Sequence, residues 1–287
     1  MLRADVALDS AVIEQAKAWR SPIFTNLEVL HASYRTHAFA RHVHEDFCVG
    51  IIVDGVEAVK YRGATHTAPK GSIVVLQPGE GHSNWAAVDA GWSFHVIYPS
   101  TGLLQALLVE ETEQPTAIPF FAEPVICDRP LFRQLAHAHA LLAQPTVEDS
   151  LSLETHLLTL LRRLVSRHAV HSGHSPRRRK FEHPMVQSIK HYLETHYSQH
   201  FTLDDLSRQS GLSPYYLTRV FREAVGLPPH SYLTYLRIAQ AKQQLRQNTS
   251  LTQLALDLGF VDQSHFTKTF KAWVGVTPGQ YRMQLTR

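Results

Sequence analysis

The chain has 287 residues, of which 44% are hydrophobic and 18% charged, so it is long enough for two domains and too apolar for general disorder. Its two cysteines, Cys48 and Cys127, exclude a disulfide framework and a C-x-x-C zinc or redox motif. The sequence shows neither a secretory signal nor an apolar run long enough to span a bilayer. We therefore expect a cytoplasmic protein that does not bind membranes.

The net charge of +3 is unevenly distributed along the chain. Residues 1–170 contain 13 Lys and Arg against 18 Asp and Glu, whereas residues 171–287 contain 15 against 7. An acidic first part joined to a basic second part indicates that the second part binds a polyanion such as nucleic acid. Charge alone leaves open the alternative of a basic surface that is simply solvated.

The predicted elements change from strands to helices along the chain. Short β-prone runs such as FCVGIIV (47–53) and VEAVKYRG (56–63), separated by glycines, are typical of an antiparallel barrel or sandwich. Beyond Pro130 the hydrophobic spacing becomes helical, so the predicted fold class is α+β. The predicted segments are an N-terminal arm (1–24), a barrel (25–128), a helical dimerisation segment (129–170), a linker (171–184) and an all-helical domain (185–287).

The predicted helix at 150–169 has a leucine-rich face. Its members follow one another at a spacing of three or four residues: Leu153, Leu157, Leu160, Leu161 and Leu164. Such a face is too apolar to remain in water. We expect it to pair with its copy in a homodimer, and the alternative is that it packs on the chain's own barrel.

The last hundred residues contain an internal repeat, which is the most informative feature of the sequence. The pattern of residues 203–211 recurs 48 residues later, and that of residues 217–232 recurs 49 residues later. Each copy consists of a predicted helix, a glycine-containing turn and a second helix. The repeat predicts two helix-turn-helix units, at 203–224 and 251–273, whose second helices suit the major groove of DNA.

The second helix of each unit has a basic or amide-bearing outer face. The predicted core positions are Leu217, Val220, Phe221 and Ala224 in the first unit and Phe266, Phe270 and Trp273 in the second. The predicted DNA-binding residues are Tyr215, Thr218, Arg219 and Arg222 in the first unit and Gln263, Ser264, Thr267, Lys268 and Lys271 in the second. Arg and Gln bond guanine and adenine edges, whereas Lys and Thr suit phosphates or base edges.

The C-terminal third resembles the AraC/XylS family of bacterial transcription regulators. The resemblance is carried by LDDLSRQSGLSPYYLTRVFREAVGLPPHSYL (203–233), LRIAQAKQQL (236–245) and LTQLALDLGFVDQSHFTKTFKAWVGVTPGQYR (251–282). It implies a seven-helix domain that binds promoter DNA and usually activates transcription, so we expect RNA polymerase and a second copy as further partners. The residues it marks for DNA reading are Tyr215, Thr218, Arg219, Gln263, Ser264, Thr267 and Lys268.

The predicted barrel is similar to the cupin-like sensory half of the same family. The residues that fit the two cupin motifs are His42, His44 and Gly55, then Gly71, Gly79 and His82. In cupin enzymes these motifs supply three histidines and one glutamate to a metal, but the glutamate would here fall at Cys48 or Val49. We therefore expect a metal-free pocket and no cofactor, with a metal at His42, His44 and His82 as the alternative.

The resemblance implies that the barrel binds a small-molecule effector. The predicted effector-binding residues combine aromatic surface with hydrogen-bonding groups: Arg35, His42, His44, Tyr61, His82, Trp85, Trp92 and His95. The predicted function is an effector-controlled transcription regulator that is not an enzyme, and the alternative is a metal-dependent cupin enzyme with a DNA-binding tail. A DNA-alkyl acceptor needs an activated cysteine in a metal cluster, which Cys48 and Cys127 do not provide.

Overall fold

The structure is a computed structural model that describes residues 14–21, 24, 27–112, 118–144, 150–170, 184–247 and 249–285. Apart from Pro184, the predicted linker at 171–184 lies outside the described residues, as does most of the predicted arm. Within the described residues, a nine-stranded antiparallel sheet, called the barrel below, is followed by helices, and the C-terminal helices from Pro184 onward are called the helical half. This confirms the predicted α+β class.

The strands are short and are separated by turns. They are β1 (Gln15–Arg20), β2 (Glu28–Tyr34), β3 (Phe39–His42), β4 (Cys48–Tyr61), β5 (Ala64–Pro69), β6 (Ile73–Leu76), β7 (His82–Ala86), β8 (Trp92–Tyr98) and β9 (Val125–Ile126). The main path of the sheet is β1-β2-β8-β4-β6-β9, and β3 pairs with β7. Strand β1 lies within the segment predicted as an arm, and its pairing with β2 makes it an edge strand of the sheet.

The long strand β4 joins two parts of the sheet. Its first part pairs with β6 and β8, and its second part pairs with β5 and β7. Successive side chains of a strand point to opposite faces. In β4, Cys48, Gly50 and Ile52 face an internal cavity, whereas Val49 and Ile51 face a layer of helices.

That helical layer consists of α1 (Thr101–Thr112), α2 (Arg129–Ala143) and α3 (Ser150–His168). The leucine-rich face of α3 packs into one core with α1, α2 and the outer face of the sheet. All five leucines of that face are 3% exposed or less. The prediction that this face pairs with a second copy is therefore wrong, because the chain buries the face against its own barrel.

The described C-terminal residues form seven helices. They are α4 (Pro184–Thr195), α5 (Leu203–Ser210), α6 (Pro214–Val225), α7 (Pro229–Gln244), α8 (Leu251–Asp257), α9 (Gln263–Val274) and α10 (Pro278–Leu285). Helices α5 and α6 form the first helix-turn-helix unit, and α8 and α9 form the second. Ser213 and Asp262 cap the N-termini of α6 and α9 with their side-chain oxygens. The prediction that Ala224 belongs to the core of α6 is wrong, because the packing of that helix leaves Ala224 exposed.

The barrel and the C-terminal helices share one hydrophobic core. Leu30 and Phe39 of the barrel belong to the same buried cluster as Phe270 and Tyr281 of the helical half. Polar contacts add to it, since the side-chain oxygen of Gln284 accepts a hydrogen bond of 2.8 Å from the backbone N–H of Ala18. In the part of the chain that the structure describes, no helix combines the length and apolarity that a membrane span requires.

Candidate DNA-binding surface and effector cavity

The second helices of the two helix-turn-helix units, α6 and α9, are the ones expected to enter the DNA groove, and they are called the first and second reading helix below. Helix α6 presents an exposed basic face. Tyr215 is 79% exposed, and Arg219 and Arg222 are exposed as well. The Arg219 guanidinium lies 5.2 Å from the centroid of the Tyr216 ring, and its Nε lies 4.0 Å from Oε1 of Glu223. An exposed ion pair at this distance contributes little to stability. Both guanidinium groups are therefore accessible to a polyanion.

Helix α9, the second reading helix, presents a similar face. Its exposed members are Gln263, Ser264, Lys268 and Lys271. Oε1 of Gln263 accepts a hydrogen bond of 2.6 Å from the Thr252 hydroxyl, which leaves the Gln263 amide NH₂ to donate. Thr218 and Thr267, at matching positions of the two helices, are half-buried, and the Thr218 hydroxyl donates to the Pro214 carbonyl at 2.8 Å.

An inner cavity of about 50 Å³ lies between the barrel and the helical half. Its apolar walls include Leu30, Ile52, Val74, Leu76, Phe94 and Val96. The helical half contributes Lys242 from α7 and Trp273 and Val274 from α9. About 10–15 Å³ of such space suffices for one water molecule, so the inner cavity has room for only a few small groups.

Three of the predicted effector-binding residues, His42, His44 and His82, form an inner histidine cluster on the cavity wall. The centroid of the His82 ring lies 4.2 Å from that of His42 and 5.1 Å from that of His44. Nδ1 of His42 lies 2.7 Å from the Ala40 carbonyl, and Nδ1 of His82 lies 3.2 Å from the Glu80 carbonyl. Because a carbonyl oxygen only accepts, both Nδ1 atoms donate, and each Nε2 is left as an acceptor.

The inner histidine cluster is uncharged at neutral pH. Burial lowers the pKa of His42 to about 4 and holds the pKa of His44 and of His82 well below the usual value. Each of the three residues offers one ring nitrogen, and these atoms all lie within 4.8 Å of one another. Neutral imidazoles at this spacing suit either hydrogen bonds to an organic ligand or coordination of a metal.

Glu57 of β4 adds a carboxyl group to the same cavity. It is 5% exposed, and its Oε1 accepts a hydrogen bond of 2.8 Å from Nδ2 of Asn84. Burial raises the pKa of Glu57 to about 7, although the hydrogen bond from Asn84 lowers it. Within the described residues, Oδ1 of Asn84 is buried and has no hydrogen-bond partner. The cavity wall is therefore rich in hydrogen-bond acceptors.

An ion pair joins the two halves beside the inner cavity. Nζ of Lys242, on α7, lies 2.8 Å from Oε1 of Glu28, on β2. Although burial lowers it, the Glu28 carboxylate raises the pKa of Lys242 above its ordinary value. Lys242 is therefore charged at neutral pH, and it is a cation on the cavity wall.

The other predicted effector-binding residues do not line this cavity: Arg35, Tyr61, Trp85, Trp92 and His95. Arg35 is exposed, and its Nε donates to the Asp89 carbonyl at 2.9 Å. Tyr61 and Trp92 are buried in the barrel core, where the Trp92 ring stacks on Phe94. Side chains in such packing are held by the core and have no free face for a ligand.

Trp85 and His95 lie on other surfaces of the barrel. Trp85 is half-buried on β7. His95 lies on the outer face of the sheet, where it meets His31 and His139. We call these three residues the outer histidine cluster. Two histidine clusters with metal-ligand spacing are therefore found in the described part of the chain.

Sequence reasoning missed several polar and aromatic residues of the inner cavity, among them Glu57, Asn84, Lys242 and Trp273. Glu57 lies within the apolar run VEAV (56–59), and an acid at a predicted core position of a strand was the available signal. Trp273 was assigned to the core of the second helix-turn-helix unit, and Lys242 was assigned no role. Nothing in the local sequence of α7 or α9 indicates that these two residues face the barrel.

Comparisons with known proteins match both halves of the chain. The family model described as an AraC-like ligand binding domain matches residues 24–161, and the one described as a helix-turn-helix domain matches residues 206–284. The HTH-type transcriptional activator AarP of Providencia stuartii is 32% identical over 115 residues, which are 40% of this chain and 85% of AarP. The chain belongs to the AraC family of helix-turn-helix transcription regulators.

Two further comparisons extend the likeness of this AraC-family regulator to both halves. The uncharacterized HTH-type transcriptional regulator YbfI of Bacillus subtilis is 29% identical over 227 residues, 79% of this chain and 81% of YbfI. The apo crystal structure of a ToxT variant from Vibrio cholerae superimposes with a TM-score of 0.55 at 14% identity. That superposition covers 96% of this chain and 98% of the ToxT chain, so the two share a fold.

Family membership confirms the resemblance stated from the sequence. This AraC-family regulator is a DNA-binding transcription regulator with a ligand-binding domain. The matched relatives are transcription regulators, and they give no support to the alternative of a cupin enzyme with a DNA-binding tail.

Proposed function

We propose that this AraC-family regulator senses a small molecule in the inner cavity and thereby controls how its two reading helices meet promoter DNA. The observation that carries the proposal is the lining of the cavity. His82 and Glu57 face it from the barrel, while Lys242 and Trp273 face it from the helical half. A ligand shifts an equilibrium only through a difference in its affinity for two states. A ligand that touches both halves has such a difference whenever the halves change their arrangement.

The size of the inner cavity makes ligand binding and domain arrangement depend on each other. At about 50 Å³, it has too little space for a typical effector, since small-molecule sites enclose about 300–1,000 Å³. A larger ligand enters only if the helical half moves away from the barrel. Trp273 and Val274, at the C-terminal end of α9, are the residues that it displaces. The second reading helix then changes its orientation.

The polar groups of the cavity define the chemical class of the effector. Nε2 of His42 and Nε2 of His82 are acceptors on the cavity wall, and Oδ1 of Asn84 is a buried acceptor without a hydrogen-bond partner within the described residues. Apolar side chains form most of the remaining wall. The structure therefore favours a compact organic molecule that donates hydrogen bonds through hydroxyl or amino groups and has an apolar body.

The proposed DNA contacts are the nine residues of the two reading helices. The exposed ones are Tyr215, Arg219, Arg222, Gln263, Ser264, Lys268 and Lys271, and the half-buried ones are Thr218 and Thr267. Helix α7, with 16 residues, separates the two units and is roughly 24 Å long at about 1.5 Å per residue. That length suits two reading helices that enter successive major grooves, which lie about 34 Å apart.

We propose further that the regulator acts in the cytoplasm as an activator that contacts RNA polymerase, and that it has no enzymatic activity. The relative AarP is named a transcriptional activator, which supports the direction of the effect. A homodimer remains part of the proposal. Its contact must use a surface other than the leucine-rich face of α3, which the chain itself buries.

Footprinting with the full-length protein tests the proposal. Genomic DNA fragments that carry promoters are first screened, and the footprint is then repeated over a panel of small metabolites. We expect a protected site whose affinity changes with one compound, and we expect His44→Ala and His82→Ala to lose that change. His191→Ala is the matched control, because His191 is an exposed histidine of α4 outside both clusters.

Two results would contradict the proposal. The first is the absence of any protected site, which would remove the DNA-binding part. The second is a normal response to the compound in both histidine variants, which would place the effector elsewhere. If a chelator removes the response of a His95→Ala variant, in which the outer histidine cluster is incomplete, the ligand of the inner histidine cluster is a metal and the organic effector is wrong.

A further inference from the structure

The outer histidine cluster lies on the opposite face of the sheet from the inner cavity. His31 of β2 and His95 of β8 stand opposite each other in an antiparallel pair, on the face that carries Val29 and Ile97 against the helices. His139 of α2 reaches them from the helical layer and is 1% exposed. The cluster therefore joins two strands and one helix in a layer that is otherwise mainly apolar.

The three imidazoles of this cluster are in direct contact. Nε2 of His31 lies 3.1 Å from Nδ1 of His139. The ring centroids of His31 and His95 lie 3.5 Å apart with 12° between the planes, and each ring lies within 5.4 Å of the His139 ring. One ring nitrogen from each residue falls within 4.8 Å of the other two.

The hydrogen-bonding capacity of the cluster is only partly used. Three neutral imidazoles offer three donors and three acceptors, and one hydrogen bond joins them, between His31 and His139. Nδ1 of His95 is buried without a partner in the described part of the chain. An unpaired buried polar atom costs free energy, and apolar side chains would fill this layer without that cost. The nitrogens are therefore placed for a ligand that accepts electron pairs.

The charge state of the cluster suits a cation that binds lone pairs. Burial lowers the pKa of His31 to about 3 and of His95 to about 4, and it holds the pKa of His139 well below its usual value. The charge of Lys17 contributes to the effect on His31. Neutral imidazole is the form that a metal ion binds, so no proton has to leave the site at neutral pH.

We propose that His31, His95 and His139 bind one zinc ion. Imidazole nitrogens suit Zn²⁺, whereas Mg²⁺ and Ca²⁺ require oxygen ligands, which the three residues of the cluster do not supply. Zinc holds ring nitrogens at about 2.0–2.1 Å in a tetrahedron, with water in the open position. The rings of His31 and His95 have to turn out of their stacked arrangement, and their half-exposed side chains leave room for this.

Zinc at this site would fix strands whose other face lines the inner cavity. His31 is adjacent in sequence to Leu30, and His95 lies between Phe94 and Val96, all three of which line that cavity. The ion would also tie α2 to the sheet. The proposed zinc site does not depend on the proposed effector or on DNA binding, so measuring metal binding is sufficient to test it.

Zinc uptake by the purified full-length protein tests the proposal. The protein is stripped with a chelator, dialysed against micromolar ZnCl₂ and analysed for bound metal. The host is the His44→Ala variant, because it disables the inner histidine cluster as a competing site. We expect His44→Ala to bind one zinc per chain with a rise in Tm, and His44→Ala/His95→Ala to bind at least about 100-fold more weakly with no rise in Tm.

Further variants keep the outcome interpretable. His139→Ala removes a buried side chain and can lower stability by itself, so the half-exposed His31 and His95 provide the variants with least disturbance of the fold. Adding His191→Ala to the host should leave zinc uptake unchanged. When Co²⁺ replaces zinc, the visible absorption of tetrahedral Co²⁺ should appear in the His44→Ala host. It should vanish in the two double variants that add His31→Ala or His95→Ala to this host. The proposal is overturned if His44→Ala takes up no zinc, or if both doubles retain it.

Discussion

The hydroxyl of Tyr34, on strand β2, donates a hydrogen bond of 2.8 Å to the carbonyl of Gly275, the residue that ends the second reading helix. Nη2 of Arg41, on β3, likewise donates to the carbonyl of Gly226, which ends the first reading helix, at 3.2 Å. The last carbonyls of a helix have no partner within the helix. Barrel side chains thus supply partners at the C-terminal ends of both reading helices, and the orientation of each helix depends on the barrel.

Replacing Gly275 should measure the strength of this contact. Gly275 has φ +90°, and a Cβ there would lie 2.5 Å from Oη of Tyr34. The matched control is Gly211→Ala, because Gly211 ends α5 at φ +66° and its Cβ would meet nothing within 4 Å. We expect Gly211→Ala to lower the free energy of unfolding by roughly 1–2 kcal/mol through backbone strain. We expect Gly275→Ala to lower it by about 1 kcal/mol more, because the hydrogen bond from Tyr34 is also lost.

Urea denaturation of the full-length protein gives both free energies of unfolding. In a Tyr34→Phe background the excess cost of Gly275→Ala should shrink, because the clashing hydroxyl is gone. Equal costs for Gly275→Ala and Gly211→Ala in both backgrounds would mean that the contact between Tyr34 and Gly275 contributes nothing.

The leucine-rich face of α3 should behave as core. Leu161 is fully buried, so Leu161→Ala should lower the free energy of unfolding by about 2–5 kcal/mol and leave the oligomeric state unchanged. Leu151, on the same helix, is 74% exposed, and Leu151→Ala should change stability by less than about 0.5 kcal/mol. Denaturation combined with sedimentation checks both. A stable Leu161→Ala protein that has become monomeric would restore the dimer contact.

The helical domain could be predicted closely because its signals are local. Repeat spacing, the N-cap residues Ser213 and Asp262 and the αL glycines at helix ends each act within a few residues of their own position. The alternation of side chains that assigns one strand residue to a cavity and its neighbour to a core is equally local. Whether a given side chain contacts a ligand or another helix or strand is not determined locally, because it depends on how distant segments pack together.

The candidate site could be predicted only in part because it depends on contacts between distant segments. His42, His44 and His82 could be predicted because they fit the two cupin motifs, and the structure places His42 and His82 opposite each other on paired strands. The prediction that His95 faces the cavity is wrong. The alternation of side chains along a strand shows that the strand has two faces, but it does not show which face meets the cavity. Lys242 and Trp273 reach the cavity only through the packing of the helical half on the barrel, which leaves no trace in the sequence of α7 or α9.

Two basic residues on the reading helices should affect DNA binding in different ways. Arg219→Ala should weaken the free energy of DNA binding by about 1–3 kcal/mol and relax the specificity at one base position, because an exposed guanidinium can bond guanine bidentately. Lys271→Ala should weaken binding to all sequences alike and reduce the salt slope by about one. Binding titrations over single-base variants of the footprinted site separate the two effects. A uniform loss for Arg219→Ala would make it a phosphate contact.

Glu57 should give the stability of the protein a distinct pH dependence. Its pKa is raised from 4.5 to about 7 in the folded protein, so the folded state holds the proton more tightly than the unfolded state. Its contribution to stability is then complete below pH 4.5 and falls as the pH rises to about 7, by about 3 kcal/mol. The histidines of the inner cluster act in the opposite direction, because their lowered pKa values destabilise the folded state in acid.

Glu57→Gln isolates the carboxyl because it keeps an oxygen acceptor for Asn84 and cannot ionise. The free energy of unfolding of the variant, relative to that of the unmutated protein, should rise between pH 4.5 and pH 7.5. A constant difference for Glu57→Gln would mean that Glu57 is not buried as the structure has it.

Filling the inner cavity without removing a polar group should separate sensing from DNA binding. Gly50 lines the cavity, and a Cβ there would lie 3.3 Å from Cγ2 of Val96 and 3.7 Å from the His95 carbonyl. Gly50→Ala therefore places a methyl group in a space of about 50 Å³ with only a small shift of Val96. We expect this variant to bind the footprinted DNA as the unmutated protein does. We expect its affinity for the effector to fall at least about tenfold, since one misplaced methyl group is worth about 1–3 kcal/mol in a tight pocket.

The control for this variant is Gly102→Ala on α1, where the added Cβ meets nothing within 4 Å. Titrating DNA affinity against the effector found by footprinting distinguishes the two variants, and a normal response in Gly50→Ala would place the effector outside the inner cavity.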